Sequence, residues 1–399
     1  MLTVTEAEAL ILLHTQRFRA AMVPLAQATG HILHDDLLAD RDWPPFDRST
    51  MDGIAIAHGS HATTFTVEGV QPAGKPAGKL RDRRGGCLLI MTGGMVPLGA
   101  DTVIPCEDYT ISGECVTLRA GARVTAGQYI HRQGADRTVG DEIMLAGTRL
   151  LPPQIALLAA SGRAEVRIAQ PPAVAVASVG DELIDIGQPL EPYQIRPSNA
   201  HGVAAGLRRL GAEQVNLALL RDDPEALERE LGALLDGHGL VILSGGVSKG
   251  AFDFVPQTLT KLGVKQVLHR IAQKPGQPLW FGVRPGGPTV FALPGNPVST
   301  LVCFQRYVAP WWWRSAGAEL PPAGRVRLAE PVTLDRPLTH FLPVRLEAAE
   351  DGEPQAVRME YHGSGDQAAL GHSHGFVELP PAGSPYAVGA RVLYYGWDT

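Results

Sequence analysis

The sequence predicts an α/β multidomain protein, in which a doubly wound parallel sheet is joined to an irregular β-rich domain and a further small β domain. Three observations carry this. From about residue 171 to 315, short apolar runs alternate with helical patterns. Residues 41 to about 140 are instead rich in Gly, Pro and short Val/Ile/Thr runs. A chain of 399 residues is also too long for one hydrophobic core, so roughly two to four domains are expected.

Taken in order, Thr5-Glu-Ala-Glu8 reads as a capping box for an N-terminal helix that continues through Ala9-Leu-Ile-Leu-Leu13. Thr64-Phe-Thr-Val67 and Thr102-Val-Ile104 read as strands. Helix returns over Leu151–Ser161, with Pro153 at its start and Gly162 at its stop. Ala173–Ala177 is a strand, Ser198 caps a helix that ends before Gly211, and Asp223-Pro224 opens another. Leu240–Leu243 and Thr289–Leu293 are further strands. In such a sheet, ligands lie at the carboxyl ends of the strands. Beyond residue 318, runs such as Arg325–Leu328 and Phe341–Arg345 suit a small β-barrel or sandwich. Trp311-Trp-Trp313, where the α/β section ends, is expected to pack between domains rather than to serve as a binding platform.

Composition removes several function classes. The net charge of -6 offers no basic field for nucleic acid. No apolar run approaches the length of a membrane span, and Met1–Glu8 lacks the cationic and apolar regions of a signal peptide. A soluble, cytoplasmic protein is expected. Cys87, Cys106, Cys115 and Cys303 are dispersed without a CxxC pair, so four reduced thiols are expected rather than zinc or a disulfide framework. His372-Ser-His374 has no third ligand nearby and reads as a solvated loop.

The chemistry concentrates in loops after the strands. Gly239-Leu-Val-Ile-Leu-Ser-Gly-Gly-Val-Ser-Lys-Gly-Ala-Phe-Asp253 is a buried strand that stops abruptly in glycines and hydroxyls. Ser244, Gly245, Gly246, Ser248 and Gly250 offer donors that can crowd around an anion, although a bland glycine turn has the same composition. Ser178-Val-Gly-Asp-Glu182 places two carboxylates beside a glycine. Gln273-Lys-Pro-Gly-Gln-Pro278 presents Lys274, and Leu293-Pro-Gly-Asn-Pro-Val-Ser299 sets Asn296, Pro297 and Ser299 at a helix start. By the strand-end rule all four loops converge on one cleft for a phosphate-bearing ligand. Carboxylates repel phosphate, so Glu182, Asp222 and Asp253 are explained if a hard divalent cation sits between them and phosphate oxygens. Helix capping is the alternative for Asp253, and capping is the expected role of Asp223. In the β-rich section, Asp42-Trp-Pro-Pro-Phe-Asp-Arg-Ser-Thr-Met-Asp-Gly53 is too polar for a core and stiffened by two prolines. It reads as a rigid turn or a preorganised polar site, and Met91-Thr-Gly-Gly94, Pro105-Cys-Glu107 and Gly134-Ala-Asp136 have the same character.

These motifs, in this order, resemble those of the molybdopterin molybdenumtransferases. The likeness rests on Pro45–Gly53, Met91-Thr-Gly93, Gly180-Asp-Glu182, Ser244–Gly250 with Asp253, Lys274-Pro-Gly276 and Leu293–Ser299, and extends to Gly363-Ser-Gly-Asp366. The resemblance implies helical connecting segments at 1–40 and 141–170, a β-rich domain at 41–140, a molybdopterin-binding α/β domain at 171–317 and a C-terminal β-barrel at 318–399. It implies a homodimer with an active site between the α/β domain of one subunit and the β domain of the other. The implied reaction takes adenylylated molybdopterin and molybdate, and gives molybdenum cofactor and AMP with Mg²⁺. Implied protein partners are the molybdopterin adenylyltransferase and apo-molybdoenzymes.

By that resemblance Ser244 to Gly250, and Pro294, Gly295, Asn296, Pro297 and Ser299, seat the pterin phosphate. Glu182, Asp222 and Asp253 serve the metal; Asp52, Thr92 and Asp136 approach from the partner subunit; Lys274, Arg345 and Ser364 meet molybdate. The chain departs from the pattern at Gln277, where many relatives carry a second lysine, and one fewer cation weakens the field on a dianion. Tyr129-Ile-His131 stands where relatives tend to have Asn-Ile-Arg, and Arg48 where an Asn is usual. The lost lysine also supports a second reading, a molybdopterin-binding carrier or scaffold that does not insert metal.

Overall fold

The computed structural model describes residues 1–59, 61–247, 254–360 and 362–398. It divides into two compact units, one of Met1–Asp35, Ala146–Ile155 and Ala164–Thr399, the other of Asp36–Leu145 and Ala156–Arg163.

The first unit begins with the helix Val4–Leu13, whose buried face is Val4, Ala7 and Ile11. Its capping box is Thr3 with Glu6, not Thr5 with Glu8: the Glu6 N–H donates to Thr3 Oγ1 at 3.2 Å, and the Thr3 N–H to Glu6 Oε2 at 2.8 Å. Both sites carry the T-x-x-E pattern, and only the earlier start brings Val4 into the helix, on the same face as Ala7 and Ile11.

Six strands form the central sheet, in the spatial order Val215–Leu220, Val174–Val179, Leu240–Ser244, Thr289–Leu293, Trp280–Val283 and Lys265–His269. The first four are parallel. Trp280–Val283 runs antiparallel to them and Lys265–His269 antiparallel to it in turn, an edge that no local sequence pattern resolves. Alternate residues of the parallel strands enter opposite cores, which is why these runs are apolar throughout. Val174, Val176, Leu240, Ile242, Phe291 and Leu293 face one cluster; Ala175, Ala177, Val241, Leu243, Val290 and Ala292 face the other. Helices Ser198–Arg209, Pro224–Gly237 and Val255–Lys261 complete the α/β layers, with Pro297–Cys303 following the last parallel strand. Asp223 caps as expected, accepting the Ala226 N–H at 2.8 Å. Ser198 does not cap; it is the first helical residue, and Pro197 precedes it without a side-chain bond.

Pro297–Cys303 runs on through a π-helical turn, Phe304–Val308, into Ala309–Ala316. Trp311, Trp312 and Trp313 are buried there among the core residues that include Phe18 and Phe291. Trp312 Nε1 donates to Leu210 O at 2.9 Å, and the Arg149 guanidinium lies 5.1 Å over Trp313. Burial this complete leaves no face for a ligand, and the aromatic run is packing.

The C-terminal strands close into a five-stranded barrel: Thr339–Ala348, Pro354–Arg358, Gly324–Leu328, Arg391–Gly396 and Gly375–Leu379, which pairs back to the first. Val326, Leu328, Val344, Ala356, Val377, Leu379 and Val392 fill it. A two-residue strand, Gln273–Lys274, adds to its edge in parallel with Thr339 and His340.

The second unit is built on a six-stranded sheet ordered Thr102–Pro105, Gly53–Ile56, Gly86–Ile90, Thr64–Gln71, Cys115–Leu118 and Tyr109–Ser112. Gly53 is required at its centre, because a β-carbon there would stand 2.0 Å from Ile104 O.

Candidate functional site

In the first unit the strands Val174–Val179 and Leu240–Ser244 are neighbours, and the chain leaves the first towards Val215–Leu220 and the second towards the opposite edge, Lys265–His269. Such a switch point opens a crevice at the carboxyl ends of the strands. A cleft of about 950 Å³ lies there, and all four strand-end loops line it.

Gly245 has φ +102, and a β-carbon on it would be 2.4 Å from Val179 O; Gly246 has φ +69, with Val255 Cγ2 at 2.7 Å. Only glycine fits both positions, so this wall of the cleft is bare backbone. Asn199, in the first turn of Ser198–Arg209, ties the wall to its neighbour. Its Nδ2 donates to Ser244 Oγ at 2.9 Å and to Gly295 O at 2.7 Å. Thr300 Oγ1 donates to Pro294 O at 2.6 Å from beneath. Asn296 stands at the N-cap position of Pro297–Cys303, and its side chain makes no capping bond to that helix. It reaches instead to Ser364 Oγ at 2.6 Å, while Ser364 O accepts the Val298 N–H at 3.2 Å.

Lys274 enters on the short barrel-edge strand. Behind it Gln273 is fully buried, donating through Nε2 to Pro275 O at 3.0 Å and accepting the Tyr307 hydroxyl at Oε1. Lys274 Nζ donates to Asp335 Oδ2 at 2.6 Å. That bond holds the Asp335 carboxyl below the usual carboxylate range. His340 Nε2 lies 3.3 Å from the other oxygen of Asp335, and burial pulls the imidazole below its ordinary pKa. Gln277 also lines the cleft and donates to Met1 Sδ at 3.0 Å.

Of the residues singled out from sequence, Glu182, Asp222, Ser244, Gly245, Gly246, Lys274, Pro294, Gly295, Asn296, Pro297, Ser299 and Ser364 all line this one cleft. Ser248, Gly250 and Asp253 lie outside the described residues. Arg345 is not among the lining residues; it is exposed on the barrel strand and paired with Glu347. Arg336 lines the cleft instead. Arg336 and Asn199 escape a sequence reading for different reasons: Asn199 had a local signal in the Pro-Ser-Asn start of a helix, whereas Arg336 sits in a loop brought in by barrel pairing. Glu182 and Asp222 supply hard oxygen ligands of the kind a divalent cation takes. Among the described residues no three His, Cys, Asp or Glu side chains form a metal-holding group.

The second unit gathers its own polar cluster. Asp52 Oδ1 accepts both the Thr92 N–H at 2.6 Å and the Thr92 hydroxyl at 2.8 Å, which holds its carboxyl below the ordinary range. Asp136 Oδ1 meets His131 Nε2 at 3.0 Å, and the Arg48 guanidinium lies 3.3 Å from His131 Nδ1. Pairing of Arg48–Ser49 with Ile130–His131 sets that register. Arg48 and His131, two of the positions that depart from the resembled pattern, are therefore direct neighbours.

Comparison with known proteins is consistent along the whole chain. Residues 2–162 match the MoeA N-terminal region (domains I and II), 175–312 a probable molybdopterin binding domain, and 325–397 the MoeA C-terminal region (domain IV). A molybdopterin molybdenumtransferase of Synechocystis sp. is 34% identical over 404 residues, covering 100% of both chains. One from Staphylococcus aureus (strain MRSA252) is 30% identical, covering 94% of this chain and 90% of its own. The crystal structure of the molybdopterin biosynthesis protein MoeA from Pyrococcus horikoshii OT3 superposes with a TM-score of 0.85 at 25% identity, over 99% of this chain and 100% of that one.

Proposed function

The chain belongs to the molybdopterin molybdenumtransferase family, whose work is molybdenum cofactor biosynthesis, and from that premise we propose that it uses molybdate to insert molybdenum into adenylylated molybdopterin, releasing AMP. The observation that carries this reading is the convergence of four chemically different loops on one cleft. A bare glycine wall suits a pterin phosphate, since backbone can approach phosphate oxygens closely where no β-carbon intervenes. Lys274 and Arg336 bring positive charge to the same cavity, as a tetrahedral dianion such as molybdate requires.

Glu182 and Asp222, with Asp253 as the third carboxylate expected from sequence, would hold Mg²⁺ beside the pyrophosphate. There the ion would supply Lewis-acid neutralisation of the phosphate that leaves as AMP. The chain's own part is positional. Asn199 locks Ser244 against Gly295, and Asn296 and Ser364 fix the helix start beside them, so the phosphate seat is set before substrate arrives. We assign the chain to a cytoplasmic homodimer, in which Asp52, Thr92 and Asp136 of the partner subunit complete the site.

Purified protein mixed with adenylylated molybdopterin, Mg²⁺ and molybdate is expected to release AMP only when molybdate is present. Tight binding of the nucleotide without molybdate-dependent AMP would overturn the insertase reading in favour of a carrier. That second reading draws on Gln277, which brings no charge to the loop of Lys274.

A further inference from the structure

We propose that Asp335 is a counter-ion that competes with the oxyanion for Lys274, and that His340 receives the carboxylate when the oxyanion displaces it. This rests on the reading of Lys274 as an oxyanion-binding group. Lys274 is the lysine among the described residues of the cleft, and Gln277, three positions on, turns its amide to Met1 Sδ. Its ammonium nevertheless already donates to Asp335 Oδ2 at 2.6 Å. Both side chains are about half exposed, at 44% and 57%, so the pair is solvated and exchanges readily.

The second half of the device is a bond not yet made. His340 is 5% exposed, and its buried Nε2 has no hydrogen-bond partner among the described residues, although Asp335 Oδ1 lies only 3.3 Å away. A buried polar atom left unpaired is costly, and a small turn of the carboxylate away from Lys274 would satisfy it. Backbone pairing of Lys274 with His340 keeps the three groups in register. Lys274 is therefore already paired with a carboxylate before the oxyanion arrives, and an incoming dianion gains only the difference between its own attraction to Lys274 and that of Asp335.

The test is molybdate binding to the full chain, measured by equilibrium dialysis with thermal melting of each variant alongside. Asp335→Asn, nearly isosteric and at an exposed position, is expected to tighten molybdate by about two- to fivefold, the range of an exposed ion pair. Combined with Lys274→Met, the same substitution is expected to give no tightening. No gain from Asp335→Asn alone, or a gain that survives without Lys274, overturns the proposal. His340→Leu is expected to weaken molybdate in the Asp335 chain and to change nothing in the Asp335→Asn chain, while His340→Gln, which keeps a donor, restores binding. Equal loss in both chains overturns the part given to His340. Should Lys274→Met alone leave molybdate binding intact, the oxyanion reading of Lys274 fails; should it weaken binding while Asp335→Asn does nothing, only the counter-ion fails.

Discussion

Asn199 holds Ser244 across the floor of the cleft, with Nδ2 2.9 Å from Oγ, and the same amide nitrogen reaches Gly295 O at 2.7 Å. One side chain thus joins two loops that lie far apart in sequence. Asn199→Ala leaves both acceptors short of a donor and is expected to cost about 1–3 kcal/mol of stability. Substrate affinity is expected to fall more than the turnover of bound substrate. Urea denaturation with steady-state kinetics checks this; an unchanged midpoint and KM would remove Asn199 from the site.

Gly245 and Gly187 separate backbone strain from contact. Both have positive φ, +102 and +85, but a β-carbon at Gly187 meets nothing within 4 Å. Gly187→Ala is expected to cost about 1–2 kcal/mol, the conformational penalty alone. Gly245→Ala adds a contact of 2.4 Å with Val179 O and is expected to lose about 1–3 kcal/mol more, together with ligand binding. Comparable denaturation midpoints for the two variants would contradict this.

Arg306 is buried between two carboxylates, donating through Nε to Glu378 Oε2 at 2.9 Å and through Nη2 to Glu8 Oε2 at 2.9 Å. Arg306→Met strands the buried Glu378 charge and is expected to cost about 3–5 kcal/mol. Pairing it with Glu378→Gln is expected to recover much of that, because no uncompensated charge then remains in the interior. Additive losses in a double-mutant cycle would show that the pair is not coupled.

The Asp52–Thr92 contact gives a pH dependence. With its folded pKa below the unfolded value of about 3.9, Asp52 contributes stability above that value and loses it as pH falls through the folded pKa. Thr92→Val removes the hydroxyl donor and keeps the backbone one, so the Asp52 carboxyl is expected to titrate at higher pH, part of the way back to ordinary. Carbon-13 NMR of the carboxyl through the acid range reads it directly, and an unmoved titration would discard the hydroxyl's part.

Arg336 and Arg345 make a simple contrast. Arg336→Ala, at a cleft-lining position, is expected to weaken molybdate binding by about tenfold, as loss of a charge-assisted contact does. Arg345→Ala only frees Glu347 and is expected to leave it unchanged; the reverse ranking would return Arg345 to the site.

Much of this was legible in the sequence for a physical reason. An apolar run that ends in glycine marks the carboxyl end of a buried strand, so Ser244–Gly246 and Pro294–Asn296 could be placed beside one another without coordinates. What escaped was set by long-range pairing. Asp335 reaches Lys274 only because Gln273–Lys274 joins the edge of a barrel strand 66 residues on, and no local pattern announces such a partner. Arg345 is pointed to by resemblance alone, with no local pattern of its own, and it pairs with Glu347 along its strand. The duplicated T-x-x-E at the N-terminus shows the converse, a strong local signal in two registers that only packing resolves.

The edge strand Gln273–Lys274 also limits how this protein can be recombined. A chimera joined near residue 318 would carry a foreign barrel whose counterpart of Thr339–Ala348 must accept two residues of the recipient's α/β layer as its parallel neighbour. Grafts that match this seam should keep the lysine loop in place, while grafts chosen by barrel fold alone should yield well-folded halves around an ill-formed rim. Inheritance of the two pieces is therefore tied, all the more because Phe341 and Phe376 of the barrel share a core with Phe291 and Leu293 of the sheet.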